Sequence, residues 1–302
     1  MRLPLVALAA LAGLAACQTG QPDSERNPTT EASADTTAAT APTPAMAPTR
    51  LARQVSPLIN GVWVKAAYLD ALTRTRSPQA VARTPAAADI TAFAIDVSRP
   101  RADSVAFDAI LNNHEGGALQ VYLRPGRRAQ SLPVSYVDYN DEGSRYELSY
   151  GLQAGDTVLR LDKYDLQNRL RQSVPYRRIR FRPTNTPDEP ALNQGLERAV
   201  RQAVLAGQYA GRDSVGRPVQ VLLAADGRVT GLPPFHSYDV NIDFIGPESN
   251  LNTVLFNPYS AQQRTLAYRL SRDTLRLYAV RPDAEHINLQ PARLNYTLVR
   301  RR

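Results

Sequence analysis

The sequence predicts an all-β fold with minor helix, arranged as two tandem eight-stranded antiparallel barrels. Three observations predict it. Apolar residues alternate with polar ones at period two over many short stretches, as half-buried strands require. Turn signals separate these stretches at Pro125-Gly126, Asn140-Asp141-Glu142-Gly143 and Asp226-Gly227. A weak internal repeat divides the folded region into two halves with about eight candidate strands each, and eight strands suffice to close a small barrel without exposed edges. One larger barrel or sandwich, with both halves sharing a core, remains the alternative.

The chain opens with a secretory layout over residues 1–16. Arg2 is positive, Leu3–Leu14 is almost free of polar side chains, and Ala15-Ala16 supplies small residues. The run is shorter than the roughly 20 residues that span a bilayer. Cys17, the only cysteine, follows directly. This arrangement resembles the lipobox of bacterial lipoproteins, which implies cleavage before Cys17 and a diacylglycerol on its thiol. No thiol would then remain for disulfides, so core packing alone must hold the fold. Gln18 in place of aspartate implies, by the same resemblance, an outer-membrane destination, periplasmic or surface-facing.

Residues 17–52 read as a disordered tether. Gln18–Arg50 contains eight Thr, seven Ala and five Pro and no aromatic residue, too little apolar surface to offset ordering entropy. Such a chain reaches roughly 30–40 Å.

Residues 53–185 form the first expected barrel. Val105, Phe107, Ala109 and Leu111 lie on one strand face, and Ile179 and Phe181 alternate with Arg178, Arg180 and Arg182. A short helix is expected at Ala66–Thr73. Residues 186–206 are a connecting segment with a helix over Pro190–Ala206, started by Thr186 or Asp188 and ended at Gly207. Residues 207–302 form the second barrel, where Val219, Val221 and Leu223 alternate, as do Tyr238, Val240, Ile242 and Phe244.

The repeat matches Gly61-Val62-Trp63 to Gly207-Gln208-Tyr209. It also matches Tyr150-Gly151-Leu152 with Asp156–Leu161 to Tyr268-Arg269-Leu270 with Asp273–Leu277, and each half ends in a basic strand, Tyr176–Arg182 and Leu294–Arg300. The Gly-x-aromatic strand followed by a short helix resembles the calycin group of lipocalin-like barrels. Gly61–Pro78, Asn112–Gly117 and Tyr238–Phe244 are similar to uncharacterised envelope lipoproteins of the Bacteroidota, a resemblance that implies a β-rich fold and no assigned activity.

Arginine and lysine number 36 against 28 acidic residues, and only Lys65 and Lys163 are lysines. Export makes nucleic acid an unsuitable partner; anionic lipid or polysaccharide is the accessible polyanion. Arg178, Arg180 and Arg182 are read as a solvated face, with polyanion binding as the functional option.

Candidate ligand-binding residues fall in three groups. Trp63 and Tyr68 could line a cavity or fill a core. Asn113, His114 and Glu115 form a polar loop after the Val105–Leu111 strand, where His114 could act as a base and Glu115 as an acid. On the strand that begins at Tyr238, itself a candidate, Asp239, Asn241 and Asp243 could present oxygens from one face to a calcium ion or sugar hydroxyls, though alternate residues about 6.6–7 Å apart are too widely spaced to hold one ion unaided. His114, His236 and His286 have no ligand spacing, so no metal or other cofactor is expected. Nucleophile elbows and phosphate loops are missing from the sequence. The expected function is a non-enzymatic, membrane-anchored envelope lipoprotein binding a small apolar or amphipathic ligand or an envelope partner. Its rivals are an envelope hydrolase using His114, Glu115 and Asp243, and a structural protein contacting anionic polysaccharide.

Overall fold

In the computed structural model, residues 50–98, 103–113, 115–136, 141, 143–184, 189–245, 250–285 and 287–301 are described. The first eight strands are β1 (Gly61–Lys65), β2 (Ile90–Ile95), β3 (Ser104–Leu111), β4 (Glu115–Tyr122), β5 (Ser131–Ser135), β6 (Arg145–Gln153), β7 (Asp156–Tyr164) and β8 (Leu170–Ile179). Each pairs with its successor and β8 returns to β1, which closes an antiparallel barrel. Turn residues explain the short connections. Asn112 and Asn113 adopt φ of 51° and 68° after β3, and Ala154 and Gly155 adopt 49° and 83° between β6 and β7, the left-handed backbone that tight hairpins need.

The second eight are β9 (Gly207–Asp213), β10 (Pro218–Leu223), β11 (Val229–Thr230), β12 (Tyr238–Val240), β13 (Thr253–Phe256), β14 (Arg264–Ser271), β15 (Thr274–Pro282) and β16 (Leu289–Arg300). They form one sheet in the order β11-β10-β9-β16-β15-β14-β13-β12. The expected second closed barrel is corrected here, because no strand ladder joins β11 to β12. A single bridge, Arg228 opposite Ser237, spans them, with the Val229 and Tyr238 amides donating to His236 O and Gly227 O at 2.8 Å. The two edge strands are two and three residues long. Pro233 and Pro234 lie between them and have no N–H to extend a ladder.

Among the described residues, four helices accompany the strands, against two expected. The two anticipated ones are α2 (Ala66–Thr75) and α4 (Ala191–Val204); the others are α1 (Arg50–Ile59) and α3 (Pro78–Ala82). Helix α1 takes in Arg50, Leu51 and Ala52, which the composition assigns to the tether. Ala52, Val55 and Ile59 recur at helical spacing and are buried, and that packing outweighs both the neighbouring low-complexity composition and Pro57. Pro190 stands at the N-cap of α4 with no side-chain cap. Thr186 and Asp188 lie outside the described residues.

Two cores result. Inside the closed barrel, Ala52, Val55 and Ile59 of α1 meet Trp63, Phe93, Phe107, Leu148 and Tyr176. The second core joins the inner face of the second sheet to α4, α2 and the outward residues Val62 and Val64 of β1. The two halves therefore share a core through β1, which is buried on both faces. All described residues fall in one compact unit. Each large side chain buried in these clusters contributes about 1.5–3 kcal/mol.

Strand β12 stops at Val240, short of the expected Tyr238–Phe244. Asn241 Oδ1 accepts from Asp243 N and Asp243 Oδ1 accepts from Ile245 N. These local side-chain bonds replace the ladder.

Candidate functional site

Each half begins with the same local arrangement. A helix ends, then come glycine, one residue and an aromatic whose polar atom donates to the carbonyl four residues back. Trp63 Nε1 donates to Ile59 O at 2.8 Å, and Tyr209 Oη donates to Leu205 O at 2.7 Å. An arginine stands directly opposite each aromatic: Trp63 pairs with Arg178 across β1 and β8, and Tyr209 with Arg300 across β9 and β16. The guanidinium carbons lie 4.8 Å and 5.4 Å from the ring centroids, within cation–π range. Arg178 donates to the carbonyls of Pro57, Leu58 and Asn60 and so ties the end of α1 to the barrel. Gly61 has φ of +115°, which L side chains rarely adopt. At Gly207 a Cβ would sit 3.3 Å from Arg300 Nε.

Arg178 and Arg300 also line one groove of about 540 Å³ between β8, α2 and α4. Arg76, Arg177, Arg180 and Arg198 line it with them, and no carboxylate belongs to its lining. A second cleft of about 740 Å³ shares Arg177, Arg178 and Arg180 and adds Arg160. Arg177 pairs with Asp70 at 2.7 Å, and Arg180 pairs with Asp156. Among the described residues, Arg76, Arg178, Arg198 and Arg300 make no carboxylate ion pair within 4 Å, although the charge of Arg198 helps to hold Asp226 below its usual range. Burial, then the neighbouring charge of Arg180, pulls Arg178 below the usual guanidinium range. A guanidinium starts so high that it stays charged at neutral pH. Chemically, this concentration of guanidinium groups can hold anions.

The expected site residues scatter. Trp63 is fully buried under Arg178, and Tyr68 is fully buried in the shared core. They are core residues. Asn113 is buried at the hairpin after β3, beside Tyr68, whose phenol is pushed up by burial and partly offset by that amide. Glu115 is exposed at the start of β4, and Asp243 is exposed in the turn after β12. Cys17 and His114 lie outside the described residues, as does His286. Tyr238 is buried in the second core with its hydroxyl unpartnered.

Asp239 points elsewhere than a sugar site. Arg201 Nη1 lies 3.3 Å from Asp239 Oδ1 and 3.2 Å from Glu197 Oε2. Burial, then the charge of Asp239, pushes Glu197 up to about 7, against the pull of Arg201. Burial also raises Asp239. Among the described residues no group of three or more His, Cys, Asp or Glu could hold a metal ion, and no helix is long and apolar enough to cross a membrane.

Sequence reasoning missed Arg76, Arg198 and Arg300 as a set. The available signal was the repeat itself, since each Gly-x-aromatic strand has a terminal basic strand for its partner. Arg178 was read as solvated, yet it packs on Trp63, because β8 closes the barrel against β1. No family model matches the chain, and no curated protein matches it either.

Proposed function

We propose that this chain is a lipid-anchored, non-enzymatic envelope protein that holds an anionic polysaccharide in its arginine groove. The single observation behind this reading is the convergence of six arginines on one groove whose lining contains no carboxylate. The signal layout and Cys17 support an outer-membrane anchor, and the Thr/Ala/Pro-rich segment supports a tether that frees the body from the surface. The matched Trp63–Arg178 and Tyr209–Arg300 pairs, with eight sequential strands in each half, support descent of both halves from one lipocalin-like unit. The small-ligand alternative is less favoured: the cavity at the end of the closed barrel lined by Lys65 and Lys163 is about 70 Å³, against 300–1,000 Å³ for ordinary ligand pockets. The hydrolase alternative draws no support from Glu115 and Asp243, which sit on exposed segments.

Immobilised dextran sulfate and neutral dextran distinguish these readings. The full chain in detergent is expected to bind dextran sulfate at low salt and to release it between 50 and 300 mM NaCl, as screening shortens to about 10 Å or less. Substituting Arg76→Gln and Arg198→Gln together is expected to weaken binding roughly tenfold, about 0.7 kcal/mol per charge. Equal retention on neutral dextran, or binding indifferent to salt, would exclude the proposal.

A further inference from the structure

The chain has 36 basic residues and only two are lysines. Both line the same small cavity at one end of the closed barrel, where β1 and β7 end and β6 and β8 begin. Its volume is about 70 Å³, several times the ~10–15 Å³ that one water requires. Apart from Lys65 and Lys163, its polar lining is Asp89, Gln172, Tyr136, Tyr146 and Tyr176, whose hydroxyl donates to Ile90 O at 2.7 Å.

Lys65 is 5 % exposed. Its ammonium donates to Pro85 O at 3.0 Å and Ala88 O at 2.9 Å. An ammonium carries three N–H donors, so these bonds use two. Burying such a charge costs several kcal/mol unless it is compensated. Lys163 reaches the cavity from β7 and pairs with Asp141 at 3.1 Å, with the Tyr146 ring 5.8 Å from its nitrogen. Tyr136 and Tyr146 meet edge to face at 4.8 Å and form one wall.

Lysine has a physical rationale here. A guanidinium is longer and planar and would occupy the cavity it lines. An ammonium is a compact point charge that leaves the volume open. The lining carries two ammonium groups against one carboxylate, Asp89, which acts on Lys65. That excess of positive charge around an open polar space, in a chain that uses arginine at every other basic position, suits an anion small enough to fit.

We propose that this cavity binds a small oxyanion, a carboxylate or inorganic phosphate, between Lys65 and Lys163. The site is separate from the arginine groove, and loss of dextran sulfate binding leaves it standing.

Two lysines permit a direct test. Full-length chain labelled with ¹⁵Nζ-lysine in detergent gives at most two side-chain signals. Titration with sodium acetate or sodium phosphate, against sodium chloride at matched ionic strength, is expected to move both signals along one saturable curve with an oxyanion and not with chloride. Saturation by acetate alone assigns a carboxylate, and saturation by phosphate alone assigns phosphate. Lys163→Arg keeps the charge and fills the space, and it is expected to weaken the saturable response of the Lys65 signal at least tenfold; Lys163→Met is expected to do the same by removing the charge. Movement of the Lys163 signal alone, a linear response of both, an equal response to chloride, or undiminished saturation in Lys163→Arg would overturn the proposal.

Discussion

The guanidinium of Arg178 lies over the face of Trp63, 4.8 Å from the ring centroid, while its Nη2 donates to the carbonyls of Pro57 and Leu58 at the end of α1 and of Asn60 just beyond it. One side chain thus seals the barrel seam, caps a helix and covers the largest buried aromatic. Replacing it with methionine keeps the stem and removes those interactions. Arg178→Met is expected to destabilise the fold by about 2–3 kcal/mol, combining the cation–π contact with carbonyls left without a donor. Urea unfolding measures this, and a loss below about 0.5 kcal/mol would show that the contact is incidental.

The second half carries a lighter version of the same contact. Arg300 Nη2 donates to Tyr209 Oη at 3.0 Å, and that hydroxyl donates onward to Leu205 O. Tyr209→Phe keeps the ring and loses both bonds. The expected cost is about 1–2 kcal/mol. A variant as stable as the parent in the same urea assay would contradict the hydrogen-bond network.

Gly195 places α4 against the barrel. A Cβ there would lie 2.7 Å from Val62 Cγ1 and 2.9 Å from the Phe181 ring. Gly195→Ala would normally help a helix by about 1 kcal/mol. Here overpacking opposes it at about 1–3 kcal/mol, so the net expectation is a loss of roughly 1 kcal/mol. A rise in Tm would mean that α4 has room to shift away from β1.

Glu197 makes stability depend on pH. Its folded pKa, about 7, stands above its ordinary 4.5. The folded chain therefore keeps a proton that the unfolded chain has released, and this contribution is fully present below about pH 4.5 and lost as pH rises through 7. Arg201, Asp239, Glu189 and Tyr259 are the charged or titratable groups coupled to it. Between pH 5 and 8 the parent is expected to lose about 1–2 kcal/mol more stability than Glu197→Gln. Parallel stability–pH curves for the two proteins would rule this out.

Much of the fold was legible because strand periodicity and turn chemistry are local. Val105, Phe107 and Ala109 alternate along β3 as read, and Ala66 begins a helix as expected. Asp239 was legible only as a polar residue between two apolar ones. Its partner Arg201 comes from α4, 38 positions away, and no local spacing encodes that meeting. Arg178 was misjudged for a related reason. A residue at the end of an alternating run reads as solvated until the neighbouring strand is known, and here that neighbour is β1, 115 positions earlier in the chain.

What the sequence determined alone was the rhythm of sixteen short strands, the division into halves that each start with Gly-x-aromatic, and the scarcity of lysine. These follow from residue chemistry read over a few neighbours. Only the tertiary structure decided which charges converge. Closure of β8 on β1 carried Arg178 to Trp63, the packing of α4 against β1 brought Arg198 to the groove where the pairing of β16 with β9 holds Arg300, and the barrel end gathered Lys65 with Lys163. The physical reason is that burial of apolar strand and helix faces sets the long-range register, and the polar side chains are carried to wherever that register puts them.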